Sequence, residues 1–368
     1  MFINMRRLCM LAAMVLAMAA CSNNEGEGDG VDKAKLAVQD DARKPFYSRN
    51  PVSKSPAYVV EDEERRLEFP GWGSPDPQFT LSFPEAKNYG RVILEYTMGS
   101  EGRGPADYDN LVLLYVKNKA DGEWYELARV FTPFGGVFDS EWEKKFYLDI
   151  TEYAPMLSAD TEFKYYYQGF DATADKAHTM KIKVLCYNEG EGDILGVERI
   201  YDSSLNPNNG YRGWAYGVAG YDIEAEERLG RRTINIPEGT TEVMLRVAIT
   251  GHGHDMGSFP NRPDYVVLNA AEFDDNYYYI AVDGVKQEAS GHIFYSNADN
   301  YIQMGTYNYD RANWAPGNPM NVHYWRLAPN AKREMIIDFD LEEFVSTFSE
   351  PKAEGVANYV VSVYAFYK

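Results

Sequence analysis

The sequence predicts an all-β protein built as two sandwich or jelly-roll halves, and three observations carry that reading. Apolar and polar residues alternate with period two over short runs. β-Branched and aromatic residues fill those runs, while Gly, Pro, Asp and Asn separate them. No long stretch has the 3.6-residue period of an amphipathic helix. Many short strands with turn signals pack as sandwiches or jelly rolls.

The chain opens MFINMRRLCMLAAMVLAMAACSNN. Arg6 and Arg7 precede an apolar run from Leu8 to Ala20, too short to span a bilayer as a helix. Met18-Ala19-Ala20 then sets small residues before Cys21. This resembles a bacterial lipoprotein signal, which implies loss of residues 1–20, lipidation of Cys21 and an outer-membrane anchor, at the surface or the periplasmic face. Residues 22–35 are acidic and glycine-rich, the composition of a flexible tether. They are similar to the stretch after the lipidated cysteine in surface-exported lipoproteins of Bacteroidota-type bacteria. Residues 36–56 have weak patterning and read as a linker or an extra element.

The first strand-rich half has its clearest strands at 79–83, 91–96, 111–117, 124–130, 163–167 and 181–187. An acidic, glycine-rich break at Asn188-Glu189-Gly190-Glu191-Gly192-Asp193 separates it from the second half. There the clearest strands are 232–236, 243–250, 277–282, 335–339 and 359–367. Short helical pieces are expected near 151–157 and 341–349. The division is therefore signal 1–20, tether and linker 21–56, N-terminal sandwich 57–190 and C-terminal sandwich 191–368.

Composition limits the function. The chain has 368 residues, with 36 Lys and Arg against 56 Asp and Glu, a formal charge of −20. Loss of Arg6 and Arg7 with the signal makes it about −22. Such a balance repels phosphate backbones and excludes a general nucleic-acid binder. Three cysteines support neither a disulfide-dense scaffold nor a cysteine-rich zinc module. With Cys9 lost and Cys21 lipidated, Cys186 is the one ordinary thiol, and the fold must rest on its core. Acidic runs such as Glu61-Asp62-Glu63-Glu64 read as solvated faces.

No nucleophile elbow, P-loop or dinucleotide fingerprint is present. His252 and His254, in Gly251-His252-Gly253-His254-Asp255, have the spacing that turns two strand side chains the same way, a metal-ligand pattern or a hydrogen-bonded turn. Asp109 lies in Asp107-Tyr108-Asp109-Asn110 before one apolar run, and Glu272 in Ala270-Ala271-Glu272-Phe273 before another. Acids at strand edges beside aromatics form either a polar site with a sugar-stacking wall or solvated loops.

Four ordered segments then resemble the peptide-N-glycosidase F family. The first is Tyr115-Val116-Lys117-Asn118 with Gly122-Glu123-Trp124-Tyr125-Glu126 and Thr132-Pro133, preceded by the acid-aromatic-Asp pattern ending at Asp109. The others are Thr250-Gly251-His252-Gly253-His254, Ala270-Ala271-Glu272-Phe273 and Asp310-Arg311-Ala312-Asn313-Trp314-Ala315-Pro316-Gly317. Order and spacing hold from about residue 79 to 368. The resemblance implies two eight-stranded antiparallel jelly rolls side by side with a site at their interface. It implies an amidohydrolase that cleaves the bond between N-acetylglucosamine and the asparagine side-chain nitrogen, releasing the intact glycan and leaving Asp. It implies N-glycosylated proteins or glycopeptides as partners, no cofactor and no metal. A monomer is expected.

By the same resemblance Asp109 and Glu272 are the catalytic carboxylates, and Arg311 and Trp314 hold the sugar core. Tyr108, Gln168, Phe170 and His252 take further substrate-binding positions. Gln168 stands where the family has a third carboxylate, and an amide cannot carry a proton. Asn110 replaces a family arginine, and Ala270, Asp274 and Ala315 replace cysteines, so those disulfides are absent. The changes leave two further readings open: a glycan-binding lipoprotein without catalysis, and a metal-dependent enzyme that uses His252 and His254.

Overall fold

The computed structural model describes residues 46–47, 49–69, 76–85, 89–100, 106–135, 137–139, 141–168, 177–190, 194–205, 211–212, 229–253, 271–273, 275–287, 290–342 and 358–368. Cys21, His254, Ala270, Asp274 and Phe170 lie outside them, as does most of the expected helical piece at 341–349.

The strands of the first sandwich are β1 (Phe46–Tyr47), β2 (Tyr58–Glu61), β3 (Arg65–Leu67), β4 (Gln78–Ser82), β5 (Arg91–Ser100), β6 (Leu111–Lys117), β7 (Trp124–Phe131), β8 (Glu143–Asp149), β9 (Asp160–Tyr167) and β10 (His178–Tyr187). One sheet runs β1-β8-β5-β10-β2, with β3 also on β10, and the other runs β4-β9-β6-β7. The second sandwich holds β11 (Gly196–Asp202), β12 (Tyr211–Arg212), β13 (Arg232–Asn235), β14 (Val243–His252), β15 (Asn276–Val282), β16 (Val285–Lys286), β17 (Gly291–Ile293), β18 (His323–Leu327), β19 (Glu334–Leu341) and β20 (Asn358–Tyr367). Its sheets run β11-β20-β14-β18, with β12 on β20, and β13-β19-β15-β16, with β17 on β15. The chain is all-β.

Among the described residues each sandwich has ten strands rather than the implied eight, because edge pieces of two or three residues, such as β1, β3, β12 and β16, add to the long strands. The β1–β8 pair is parallel, whereas the other strand pairs are antiparallel. β1 falls in the weakly patterned stretch 36–56. The expected helical piece at 151–157 is a 3-10 helix, Thr151–Met156.

The sandwiches meet through the β6–β7 side of one and the β14–β20 side of the other. Arg129 on β7 donates to Thr250 Oγ1 on β14 at 2.6 Å and to the Val360 carbonyl on β20 at 2.8 Å. It also forms a two-point ion pair with Glu126 at 2.9 and 2.6 Å, and Ser362 donates to Glu126 at 2.9 Å. A cluster of Leu111, Leu113, Phe131, Ala248, Trp314 and Met320 crosses the same boundary. Covered on both faces, β14 and β20 are buried along their whole length and β6 along nearly all of it. Such strands read as continuous apolar runs rather than strict alternation.

The acidic run at Glu61 is not uniformly a solvated face. Asp62 is buried, and Arg65 grips its carboxylate at 2.6 and 2.7 Å. A buried carboxylate persists because a guanidinium fork satisfies both oxygens. Cys186 is a buried free thiol, and burial pushes it up to about 12. It is therefore an inert packing residue.

Candidate active site

Asp109 sits just before β6, where local hydrogen bonds fix the backbone. Asn110 N–H donates to Thr132 Oγ1 at 2.7 Å, and Thr132 N–H donates back to the Asn110 carbonyl at 2.9 Å. The Asn110 amide reaches the Tyr167 hydroxyl and the Tyr108 carbonyl, both at 3.2 Å. Gln168 N–H donates to the Leu111 carbonyl at 2.9 Å, so Gln168 ends β9 beside the start of β6. Tyr108, Asp109 and Gln168 thus share one end of the first sandwich.

Glu272 lies on the 3-10 turn Ala271–Phe273. That turn packs directly on β14. Gly251 N–H donates to the Ala312 carbonyl at 3.1 Å, and Ala312 N–H to the Glu272 carbonyl at 2.9 Å. A Cβ on Gly251 would stand 1.9 Å from the Ala271 carbonyl oxygen, so only glycine permits this approach. The Arg311–Trp314 segment is fixed as firmly. Tyr295 and Arg311 exchange backbone hydrogen bonds at 2.7 and 3.1 Å. Asn313 has φ +65°, which an asparagine tolerates, and its amide donates to the Ile249 and Asn321 carbonyls at 2.9 Å each. Asn297 binds the Tyr309 carbonyl at 3.0 Å and the Trp314 carbonyl at 3.1 Å.

These pieces meet at Arg311. The guanidinium is fully buried, while the Asp109 and Glu272 side chains keep 12% and 18% exposure. Nη2 lies 3.6 Å from Asp109 Oδ2, and Nε lies 3.4 Å from Glu272 Oε1. Three further bonds hold the cation, from Nη1 to the Thr306 and Tyr309 carbonyls and from Nη2 to Thr306 Oγ1, at 2.8 to 2.9 Å. Its carbon centre lies 4.7 Å from the Trp314 ring centroid and 5.2 Å from that of Phe273. The result is two largely buried carboxylates beside one fully buried cation. Asp109 Oδ2 and Arg311 Nε are buried without a hydrogen-bond partner, so polar capacity is left over at this point.

Burial pushes the Asp109 carboxyl up to about 7, Arg311 opposes it, and the Glu272 charge adds to it. Burial also raises Glu272, again against Arg311. Burial thus favours the protonated form of each carboxyl, and Arg311 the ionised form. One is then available as an acid and the other as a base.

Trp314 donates from Nε1 to the Gly251 carbonyl at 2.9 Å and stacks on Phe131 with centroids 4.2 Å apart. His252 stacks beside both rings at 5.9 Å. Its Nε2 is engaged with Thr250 Oγ1 at 2.7 Å, and burial, reinforced by the Arg129 charge, lowers it to about 3. His252 is therefore a neutral packing ring with that nitrogen already committed, which fits the hydrogen-bonded turn of the two readings open for it. Among the described residues no group of three or more His, Cys, Asp or Glu side chains is assembled for a metal. The structure brings Asp109, Glu272, Arg311, Trp314 and His252 into one connected cluster. Sequence reasoning missed Asn297, Asn313, Thr306 and Arg129, which hold that cluster. Their signal was faint, since polar side chains that bond to backbone follow no short motif.

Comparisons with known proteins bear on this site. The family model for the C-terminal part of peptide-N-glycosidase F matches residues 221–365. The chain is 25% identical over 336 residues to peptide-N(4)-(N-acetyl-β-D-glucosaminyl)asparagine amidase F of Elizabethkingia miricola, covering 85% of this chain and 83% of that protein. The fold matches the crystal structure of such an amidase with a TM-score of 0.64, at 21% identity, over 84% of this chain and 96% of that one. PNGF-II matches with a TM-score of 0.61 at 16% identity, over 84% of this chain and 65% of that chain. With the ordered motifs, the matched C-terminal region and the paired sandwiches together, the chain is similar to the peptide-N-glycosidase F family over most of its length and shares its two-domain β-sandwich fold.

Proposed function

We propose that this protein hydrolyses the amide between N-acetylglucosamine and asparagine in N-glycosylated proteins or glycopeptides. The observation that carries the reading is the convergence of Asp109 and Glu272 on the buried Arg311. Amide hydrolysis needs a polarised carbonyl, an activated water and a proton for the departing nitrogen. A pair of largely buried carboxyls, Asp109 raised to about 7 and Glu272 raised as well, can supply both base and acid. Arg311 offsets the charge that builds up on oxygen. In this reading water adds to the side-chain carbonyl, the C–N bond breaks, the glycosylamine leaves with the proton and Asp remains. The indole of Trp314 then helps hold the core sugar.

The test is incubation of the purified chain with glycopeptides of several glycan types, followed by mass spectrometry. The expected product is free glycan and a peptide in which an amide has become an acid. Asp109→Asn is expected to lower turnover by roughly 10²–10⁴-fold, the range for loss of an acid–base group. Absence of product with all glycan types removes the reading. The amide Gln168, at a position where the family has a carboxylate, favours the second reading, a binder without turnover. Glycan binding with no product would select it. We also propose that Cys21 carries the lipid anchor. Cys21→Ala is expected to move the protein from the membrane to the soluble fraction, and retention in the membrane counts against it.

A further inference from the structure

A groove of about 350 Å³ opens on the C-terminal sandwich, and none of Asp109, Glu272, Arg311 and Trp314 is among the described residues that line it. It lies where the two sheets part at their edges. Among the described residues β17 pairs only with β15, and β18 pairs only with β14. Its floor is Tyr278, whose hydroxyl accepts from Trp325 Nε1 at 3.0 Å and bonds to His323 Nδ1 at 2.9 Å. The Tyr278 ring passes across Gly291, where a Cβ would stand 1.8 Å from it. Glycine at that position therefore keeps the floor in place. Tyr324 on one wall is 42% exposed. On the other wall His292 has a side chain 41% exposed. Its ring is held flat between Tyr277 and Phe294, with centroids 4.5 and 5.0 Å away and interplanar angles of 6° and 8°. Ser290 lies at the exposed lip.

The lining decides the ligand class. Among the described residues no Asp, Glu, Lys or Arg lines the groove, while Asp275 holds His292 Nε2 and Glu152 accepts from the Tyr324 hydroxyl at its edges. An anionic ligand would meet those carboxylates at the groove's edges. A purely apolar ligand would strip water from exposed Ser290 and from the exposed His292–Asp275 pair without replacing those bonds. A ring with an apolar C–H face and several hydroxyls satisfies both kinds of wall: aromatic faces take the C–H side, and Ser290 with the exposed His292–Asp275 pair takes the hydroxyls. The volume fits the lower end of small-molecule sites, roughly 300–1,000 Å³. We propose that this groove is a second, non-catalytic saccharide site for one or two neutral hexose or N-acetylhexosamine units. It does not depend on the amidase reading.

The experiment is isothermal titration of the purified chain with N-acetylglucosamine oligomers and with mannose oligomers, neither linked to asparagine. Saturable binding by the wild type is expected. His292→Ala removes one wall, and Ser290→Trp fills the groove from its exposed lip without opening the core. Each is expected to weaken binding at least about tenfold while the circular dichroism spectrum stays native. Trp314→Ala, at the other site, is expected to leave groove binding intact. The proposal is overturned by no saccharide binding, by binding that both groove variants retain, or by binding lost only in Trp314→Ala. A chain that binds through the groove and releases no glycan removes the amidase reading and keeps this one. Glycan release without groove binding does the reverse.

Discussion

Asp109 shows how one residue acquires chemistry from its surroundings. Its carboxyl titrates ordinarily near 3.8, and burial raises it to about 7 even with Arg311 nearby. The native state thus keeps a proton that the unfolded chain releases above about 4. The stability tied to this group is full at low pH and falls as pH rises from about 4 to about 7. Asp109→Asn removes the dependence. The melting temperature of the variant, relative to wild type, is therefore expected to climb across that window. A difference that stays constant from pH 4 to pH 7 would show that Asp109 is not buried as described. Its position before an apolar strand was legible in the sequence. Its raised pKa was not, because desolvation is set by Arg311, Glu272 and their neighbours, all distant in the chain.

At the scale of elements, the contact between β14 and the turn Ala271–Phe273 carries the most weight. Glu272 is placed by backbone bonds that join Gly251, Ala312 and the turn. Gly251→Ala drives a methyl into the Ala271 carbonyl. Overpacking of this kind costs about 1–3 kcal/mol. The expected outcome is a lower urea midpoint together with weaker glycopeptide turnover, because the turn that bears Glu272 must move. Unchanged turnover at reduced stability would separate the turn from the site. The strongest alternating or apolar strands, such as β6 and β10, were readable from period and residue type. β8, β11 and β18 were not, because charged and half-exposed residues dilute their patterns.

Across the whole molecule, the two sandwiches are joined by a buried polar network as well as by apolar packing. Arg129 and Glu126 are fully buried as a pair, and both bond to the second sandwich. Arg129→Ala leaves a buried carboxylate uncompensated, a change that costs about 3–5 kcal/mol. Replacing both partners, as Glu126→Gln with Arg129→Met, is expected to recover much of that loss. Equilibrium urea denaturation of the three proteins checks this, and a single-variant loss below about 1 kcal/mol would contradict the buried pairing. The same network reaches Thr250, His252 and Trp314. Loss of Arg129 is therefore also expected to loosen the ring beneath the candidate sugar site.

The sequence by itself determined the all-β class, the long strands and the order of the motifs around Asp109, Glu272, Arg311 and Trp314. Those features are local, since side-chain period and turn chemistry are written in consecutive residues. Tertiary structure alone decided that Asp109 and Glu272 share one buried cation, that Asp62 is buried rather than solvated, and that His252 is a neutral packing ring. Each of these depends on which strand face another sheet covers and which charge it brings there. The covering strands come from distant parts of the chain, even where the bonded partner is near in sequence, as Arg65 is to Asp62 and Thr250 to His252.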